Sequence, residues 1–401
     1  MVKKAKNILA ESNKYLIQNY QRLPIKIVRG EGSFVWDSDG NKYLDFISGI
    51  AVNNLGHQNP QVNKAILKQI NKFTHISNLF VIQEQVDYSK ALVQEKKGYK
   101  AFFCNSGTEA NEAAFKLARR WGVFNGEKNI ILSFTGAFHG RTFGSLSATS
   151  PKKYKYGFYP LLPGFKNTEF NNIKKLENIV NKNKKIAAII VEPIQGEAGV
   201  KFGSPTFLKA IQDICRKKNI LFILDEVQVG IGRTGKIFCH NHYDLNPDIV
   251  TLAKALGGGL PCGAMIASPK VSDFLTPGSH GTTMGGNPLA MSSGLASYKQ
   301  ISKKSFMSKV VKSGDFFLSE LVKMSGNKLV KEVRGLGLIL AIEFYSSIKA
   351  KNFSDICLRL GLLVILTEKK NIRILPPLNV KLNEIKKSIS IFNIALRELN
   401  E

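Results

Sequence analysis

The stretch that most constrains this chain runs from Asn219 to Gly263, where two short apolar runs each end in one charged residue followed by glycines. Ile220 to Leu224 is unbroken and gives way to Asp225; Ile249 to Ala253 is a second such run and delivers Lys254 just ahead of Gly257, Gly258 and Gly259. An apolar run of this length reads as a strand covered on both faces, its polar residue at the C-terminal end. Glycines at that point let bare backbone turn sharply and approach a ligand. Asp225 and Lys254 are therefore expected at one edge of a sheet, facing one crevice.

A carboxylate and an amine so placed suit pyridoxal phosphate, whose aldehyde needs an amine and whose ring nitrogen needs an anionic partner. Asp225 would keep that nitrogen protonated. Lys254 would carry the cofactor and, once displaced by substrate, move a proton at the reacting carbon. A buried Lys–Asp ion pair in an ordinary α/β sheet is the alternative these two strands leave open.

The same strand pattern recurs at Ala101–Cys104, Asn129–Phe134 and Lys185–Val191, with helical stretches between. In NSGTEANEAAFKLARRW, Ala110, Ala113, Ala114, Leu117, Ala118 and Trp121 share one face, so a helix begins near Thr108. Ser106, Gly107 and Thr108 then lie at its N-terminus, where free N–H groups and the positive end of the dipole make a phosphate seat, though any capped helix shows some of this. In TGAFHGRTFG, Phe138 could lie over a flat ring or in the core; Arg141 offers a planar fork for a carboxylate or is a solvated loop charge. EPIQGEAGV carries Glu192 and Glu197 to the same strand-end side. The β-then-α alternation implies a mostly parallel sheet with its site along the C-terminal edge. His240 and His242 have no third ligand in view, and no metal is expected.

Ser33 to Phe46 alternates around Asp39-Gly40, a hairpin signal, and Gln61 to Phe73 has helical spacing. After Pro288, which opens a long helix, the character changes. Val333–Phe344 and Leu362–Leu375 look like strands and Ile385–Leu399 like a closing amphipathic helix, a smaller α+β domain. Arg373 stands between apolar residues on a strand, an odd place for a charge without an anionic partner. At 401 residues more than one core is expected, and the divisions read as 1–55, an N-terminal segment joining the small domain, 56–297, the large domain, and 298–401, the small one. The net charge of +27 is spread along the chain as lysines among Asn and Ile, which reads as compositional drift, although the charge alone keeps a basic nucleic-acid-binding protein as a rival. Five scattered cysteines without a C-x-x-C pair, and no apolar run of membrane-spanning length, point to a reducing, cytoplasmic setting.

Taken together, NSGTEANE, AFHGRT, VEPIQGEAGV, ILDEVQ, GRTG, AKALGGG and HGTTMGGNP resemble, in order, the motifs of the class III pyridoxal-phosphate aminotransferases of fold type I, most closely the acetylornithine aminotransferases. The match spans roughly Gly30 to Arg373. It implies a large domain with a mostly parallel seven-stranded sheet and a smaller α+β domain. Residue by residue, Lys254 resembles the Schiff-base lysine, Asp225 the pyridinium partner and Gln228 the donor to the ring hydroxyl. Gly107 and Thr108 resemble the phosphate clamp, Phe138 the stacking aromatic, Arg141 the clamp on a remote substrate carboxylate and Thr282 a substrate contact. Thr283 resembles the residue that reaches the neighbouring subunit's phosphate, which implies a homodimer. Glu197 and Arg373 match the family's Glu and Arg positions, and the expectation is that Glu197 masks Arg373 for one substrate and releases it for the other. Met284 replaces the usual aromatic and Ala198 the usual Gly. Ile50, where ornithine aminotransferases tend to carry Tyr, favours N2-acetylornithine as donor and 2-oxoglutarate as acceptor. Ornithine, 4-aminobutyrate and succinyl-diaminopimelate remain alternative donors.

Overall fold

The apolar runs that the sequence marks as strands lie side by side in the computed structural model, which describes residues 2–94 and 96–401. Seven strands form one sheet in the spatial order Lys100–Cys104, Gly263–Ala267, Ile249–Leu252, Leu221–Asp225, Ile186–Val191, Ile130–Phe134 and Phe165–Thr168. Pairing is parallel from Ile249–Leu252 to Phe165–Thr168. Gly263–Ala267 alone runs antiparallel to both its neighbours. The sheet is thus mostly parallel and seven-stranded, as the family resemblance implies. Two strands escaped the periodicity: Phe165–Thr168 (FKNT) is short, polar and at the edge, and Gly263–Ala267 (GAMIA) follows the glycine turn with no helix before it.

The three central strands show why the apolar runs are unbroken. Every residue of Ile186–Val191, Leu221–Asp225 and Ile249–Leu252 is buried, because helices cover both faces and no face is left to alternate toward water. The helix Gly107–Val123 lies on this sheet through a face rich in alanine, Ala110, Ala113, Ala114 and Ala118, beside Leu117 and Trp121. Being adjacent and parallel, the three strands deliver Glu192, Asp225 and Lys254 to one edge.

Beyond the sheet, the N-terminal hairpin pairs Phe34–Asp37 with Lys42–Asp45 around Gly40, whose φ is +83°. Its second strand then pairs in parallel with Leu362–Leu363, so the chain's beginning joins its end. The apolar stretches near the C-terminus are each divided. Val330–Leu336 and Ile339–Phe344 form a hairpin turning at Gly337, and Ile365–Thr367 and Asn371–Ile374 another turning at Glu368 and Lys369. Ile339–Phe344 joins Asn371–Ile374, which makes a four-stranded sheet. At Gly337 a Cβ would stand 2.5 Å from the Thr234 backbone, so a glycine is required where this turn meets the large sheet's loops. The helix Pro288–Ile301, capped by Asn287 Oδ1 accepting from Ala290 N, continues through residue 298. One core cluster links Leu44 and Phe46, Val250 and Leu252, and Phe317 and Phe344. Among the described residues no helix is long and apolar enough to cross a membrane.

Candidate active site

At the C-terminal edge of the central strands opens a cavity of about 490 Å³, lined by Ser106, Gly107, Thr108, Phe138, Arg141, Glu192, Glu197, Asp225, Gln228 and Lys254 among others. Asp225 is 3% exposed, yet both its oxygens are engaged. Oδ1 accepts from Val227 N at 3.0 Å, and Oδ2 accepts from Asn111 Nδ2 at 2.9 Å and from His139 Nδ1 at 2.8 Å. A carboxylate only accepts, so His139 Nδ1 is the donor in this contact. Asn111 is itself fixed, donating to His139 O and accepting from Thr251 Oγ1. Such a network holds a buried negative charge in one orientation. Glu192 lies close by, accepting from Phe138 N at 2.9 Å. Burial, and then the Asp225 charge, raises its carboxyl well above the usual range.

Lys254 follows the neighbouring strand with φ +50°, a left-handed conformation that turns the chain toward the glycines. Burial, and then the Arg373 charge, lowers its amine to about 8, against an ordinary value near 10.5. An amine so tuned is available as a free base near neutral pH, which a nucleophilic lysine needs.

The helix beginning at Gly107 is closed by a reciprocal cap. Ser106 Oγ accepts from Glu109 N and donates to Glu109 Oε2, while Asn105 N donates to the same carboxylate. The Ser106 hydroxyl therefore serves the helix, and the first amides of the helix, those of Gly107 and Thr108, are left for a ligand. A Cβ at Gly107 would come 2.7 Å from Val227 Cγ1, so only glycine lets the helix start press against the cavity wall.

Arg373, 1% exposed, does not line the cavity; its partners do. Its Nη1 donates to Glu197 Oε1 at 2.6 Å and to Gln228 Oε1 at 3.0 Å, while its Nε has no partner. Burial would raise the Glu197 carboxyl, but the Arg373 charge and hydrogen bond outweigh it and the carboxyl lies below its ordinary value. Glu197 thus stands between a buried cation and the cavity. A Cβ at Gly196 would meet Gln228 Oε1 at 2.0 Å, which explains the glycine before Glu197.

Not every expected residue is gathered here. Arg141 does line the cavity, but at its exposed rim, its guanidinium over the Tyr154 ring. Thr282 is absent from the cavity wall; its Oγ1 accepts from Asn105 Nδ2 and from Gly285 N. Thr283 is exposed and likewise outside the wall. His240 Nδ1 pairs with Glu226 Oε1 at 2.7 Å, and among the described residues no group could hold a metal ion. Sequence reasoning missed Asn111, His139 and Val227. Asn111 carried a signal, a polar residue beside alanines on a face read as buried; His139 and Val227 carried none that separates them from ordinary loop residues. Arg233, in GRTG, was legible only as part of a motif. It is fully buried and donates through Nη1 to Leu338 O and Pro376 O and through Nη2 to Asn54 Oδ1, which ties the segment after Arg373 to the floor.

Residues 15–396 match the family described as aminotransferase class-III. An acetylornithine aminotransferase of Lactococcus lactis subsp. lactis is 46% identical over 377 residues, 94% of this chain and 98% of that one. Among solved structures, the ornithine aminotransferase of Toxoplasma gondii ME49 superposes with a TM-score of 0.94 at 30% identity, covering 99% of this chain and 96% of that one. The acetylornithine aminotransferase of Elizabethkingia anophelis gives 0.87 at 34% identity, covering 98% and 99%.

Proposed function

From the premise that this chain belongs to the class III aminotransferases, we propose that it moves the terminal amino group of N2-acetylornithine to 2-oxoglutarate, giving N-acetylglutamate 5-semialdehyde and glutamate, a step toward arginine. The observation that carries the reading is the meeting, in one cavity, of a fully hydrogen-bonded buried Asp225 and a lysine whose amine is lowered to about 8. Acetylornithine aminotransferases are 40% to 46% identical to this chain over nearly its full length, which supports the acylated donor. N-succinyl-diaminopimelate, with a similar acylated end, is a second donor and would give the chain a part in lysine synthesis. A homodimer working in the cytoplasm belongs to the same proposal.

The cavity fits pyridoxal 5'-phosphate, because a glycine-bared helix start, a buried carboxylate, an amine and a half-buried aromatic all line it. When bound, that cofactor supplies the electron sink for proton loss at the donor's amine-bearing carbon. Asp225 would be the anionic partner of its ring nitrogen, and Asn111 and His139 keep Asp225 aimed. Lys254 would be the residue that holds the cofactor, and its amine, lowered to about 8, would move the proton at the donor's reacting carbon. The amides of Gly107 and Thr108, with Ser106 as cap, would hold the phosphate, and Thr283 would complete that seat in the partner subunit. Gln228 would orient the ring hydroxyl and Phe138 would form the aromatic wall.

Two substrates must use this cavity in turn. Acetylornithine presents its terminal amine and leaves its carboxylate at Arg141, so an exposed cation beside the ring does not serve it. Glutamate brings an α-carboxylate beside the ring and needs one. Glu197 covers Arg373 for the first and swings aside for the second, when the dicarboxylate replaces it on the guanidinium. Purified protein assayed with acetylornithine, ornithine, 4-aminobutyrate and succinyl-diaminopimelate against 2-oxoglutarate tests the assignment; kcat/KM highest for ornithine or 4-aminobutyrate would overturn it.

A further inference from the structure

Arg141 presents its charge in an unusual setting for an exposed residue. Its guanidinium carbon lies 4.1 Å from the centre of the Tyr154 ring and 5.4 Å from that of Phe138. The two rings meet edge to face, centroids 5.5 Å apart and planes at 77°, so they form a corner. Tyr154 ends a short turn, Lys152–Tyr154, that is anchored on both sides. Lys153 Nζ pairs with Glu368 Oε1 at 2.8 Å. Lys155, only 8% exposed, donates from Nζ to Ser147 O, in the helix Phe143–Ala148 that follows Arg141. The ring's place is thus fixed relative to the residue it supports.

We propose that Tyr154 is a positioning residue for substrate recognition: its ring seats the Arg141 guanidinium and holds it ready for the donor's carboxylate. The proposal rests on the reading of Arg141 as the clamp for that carboxylate. A guanidinium has two distinct surfaces. Its face is attracted to an aromatic ring, and its edge carries the N–H fork that meets a carboxylate in two parallel hydrogen bonds. A ring under the face leaves the edge free. An arginine at the rim otherwise samples many rotamers, and each donor that binds must first collect it into one; a preformed seat removes part of that ordering cost. Phe138 closes the second side, so one aromatic wall serves the cavity and the clamp together.

The test compares donors with and without the carboxylate. N2-acetylornithine and N-acetylputrescine, which lacks only that group, are mixed with excess holoenzyme in single-turnover experiments on wild type, Tyr154→Phe, Tyr154→Leu and Arg141→Ala. In Tyr154→Leu the apparent dissociation constant of acetylornithine rises about threefold to tenfold while its limiting rate holds, and that of N-acetylputrescine stays as in wild type. Tyr154→Phe, which keeps the ring face, behaves as wild type. Equal weakening of both donors by Tyr154→Leu, or no weakening of either, would overturn the proposal, as would a Phe variant as poor as Leu. Arg141→Ala reports separately on the underlying reading: it should abolish the preference for the carboxylate-bearing donor, and a preference that survives would overturn Arg141 as clamp and with it the role of Tyr154.

Discussion

At the floor of the cavity Asp225 is 3% exposed and each of its oxygens has a partner within the same chain, whereas at the rim Arg141 and Thr283 stand open to solvent and Met284 is 49% exposed. The floor is built of consecutive strand ends, so its geometry follows from backbone pairing that no ligand needs to complete. The rim is built of loops, and its groups have no such partners in the strand pairing. The proposed roles divide along the same line: reaction chemistry at the floor, and choice of substrate at the rim and at the Glu197–Arg373 pair between them.

Substitutions ranked by effect sharpen this contrast. Lys254→Ala should lower turnover by about 10²–10⁴-fold, the range of a lost acid–base group, and borohydride treatment should no longer fix the cofactor on the peptide containing residue 254. Retained labelling of that peptide's neighbours with unimpaired turnover would break the assignment of the floor. In the wild type, covalent capture of cofactor by the apo-protein should rise with pH about a midpoint near 8, because the neutral amine attacks and Lys254 is lowered to about 8. At that pH an unperturbed lysine would be neutral in only about one molecule in several hundred. A midpoint near 10 would show that burial and Arg373 do not act on the amine as described.

Asp225→Ala should cost on the order of 10²–10³-fold in kcat, the scale of a removed electrostatic partner; proton exchange at the donor's reacting carbon, followed by mass spectrometry, should slow by the same factor. Glu197→Gln weakens the cover over Arg373, so the acetylornithine half-reaction should slow by about tenfold while the glutamate half-reaction is spared or improved. An equal loss in both would make the pair a static brace. Smallest of all, Thr283→Ala should remove the one hydrogen bond proposed to reach the partner's phosphate, worth about 1 kcal/mol, so cofactor affinity should fall about fivefold, and only at concentrations where sedimentation shows dimer. The same loss in an isolated monomer would move Thr283 from the partner's site to its own.

Legibility in the sequence follows the same line between floor and rim. The central strands were readable because burial on both faces leaves unbroken apolar runs, and Asp225 and Lys254 stood out as the charges that end them. The edge strand Phe165–Thr168 was not readable, since an edge needs no continuous apolar content. Leu362–Leu375 looked like one stretch; it divides between two sheets, because Leu362–Leu363 finds its partner in Lys42–Asp45, more than three hundred positions away. Arg373 announced by its place on a strand that it needs an anion, and the family resemblance named Glu197, with which it pairs.

What the sequence determined by itself is the order of elements, the helix start at Ser106 to Thr108 and the residues that end the central strands, all consequences of local pattern: period, capping chemistry and the conformational freedom of glycine. What only the tertiary structure decided is which side chains meet. The grip of Asn111 and His139 on Asp225 and the Tyr154 ring under Arg141 join positions 114, 86 and 13 apart in the chain. Hydrogen bonds and ring contacts act over a few ångströms and carry no trace along the sequence, so the partners are fixed only when the sheet brings its strand ends and loops together.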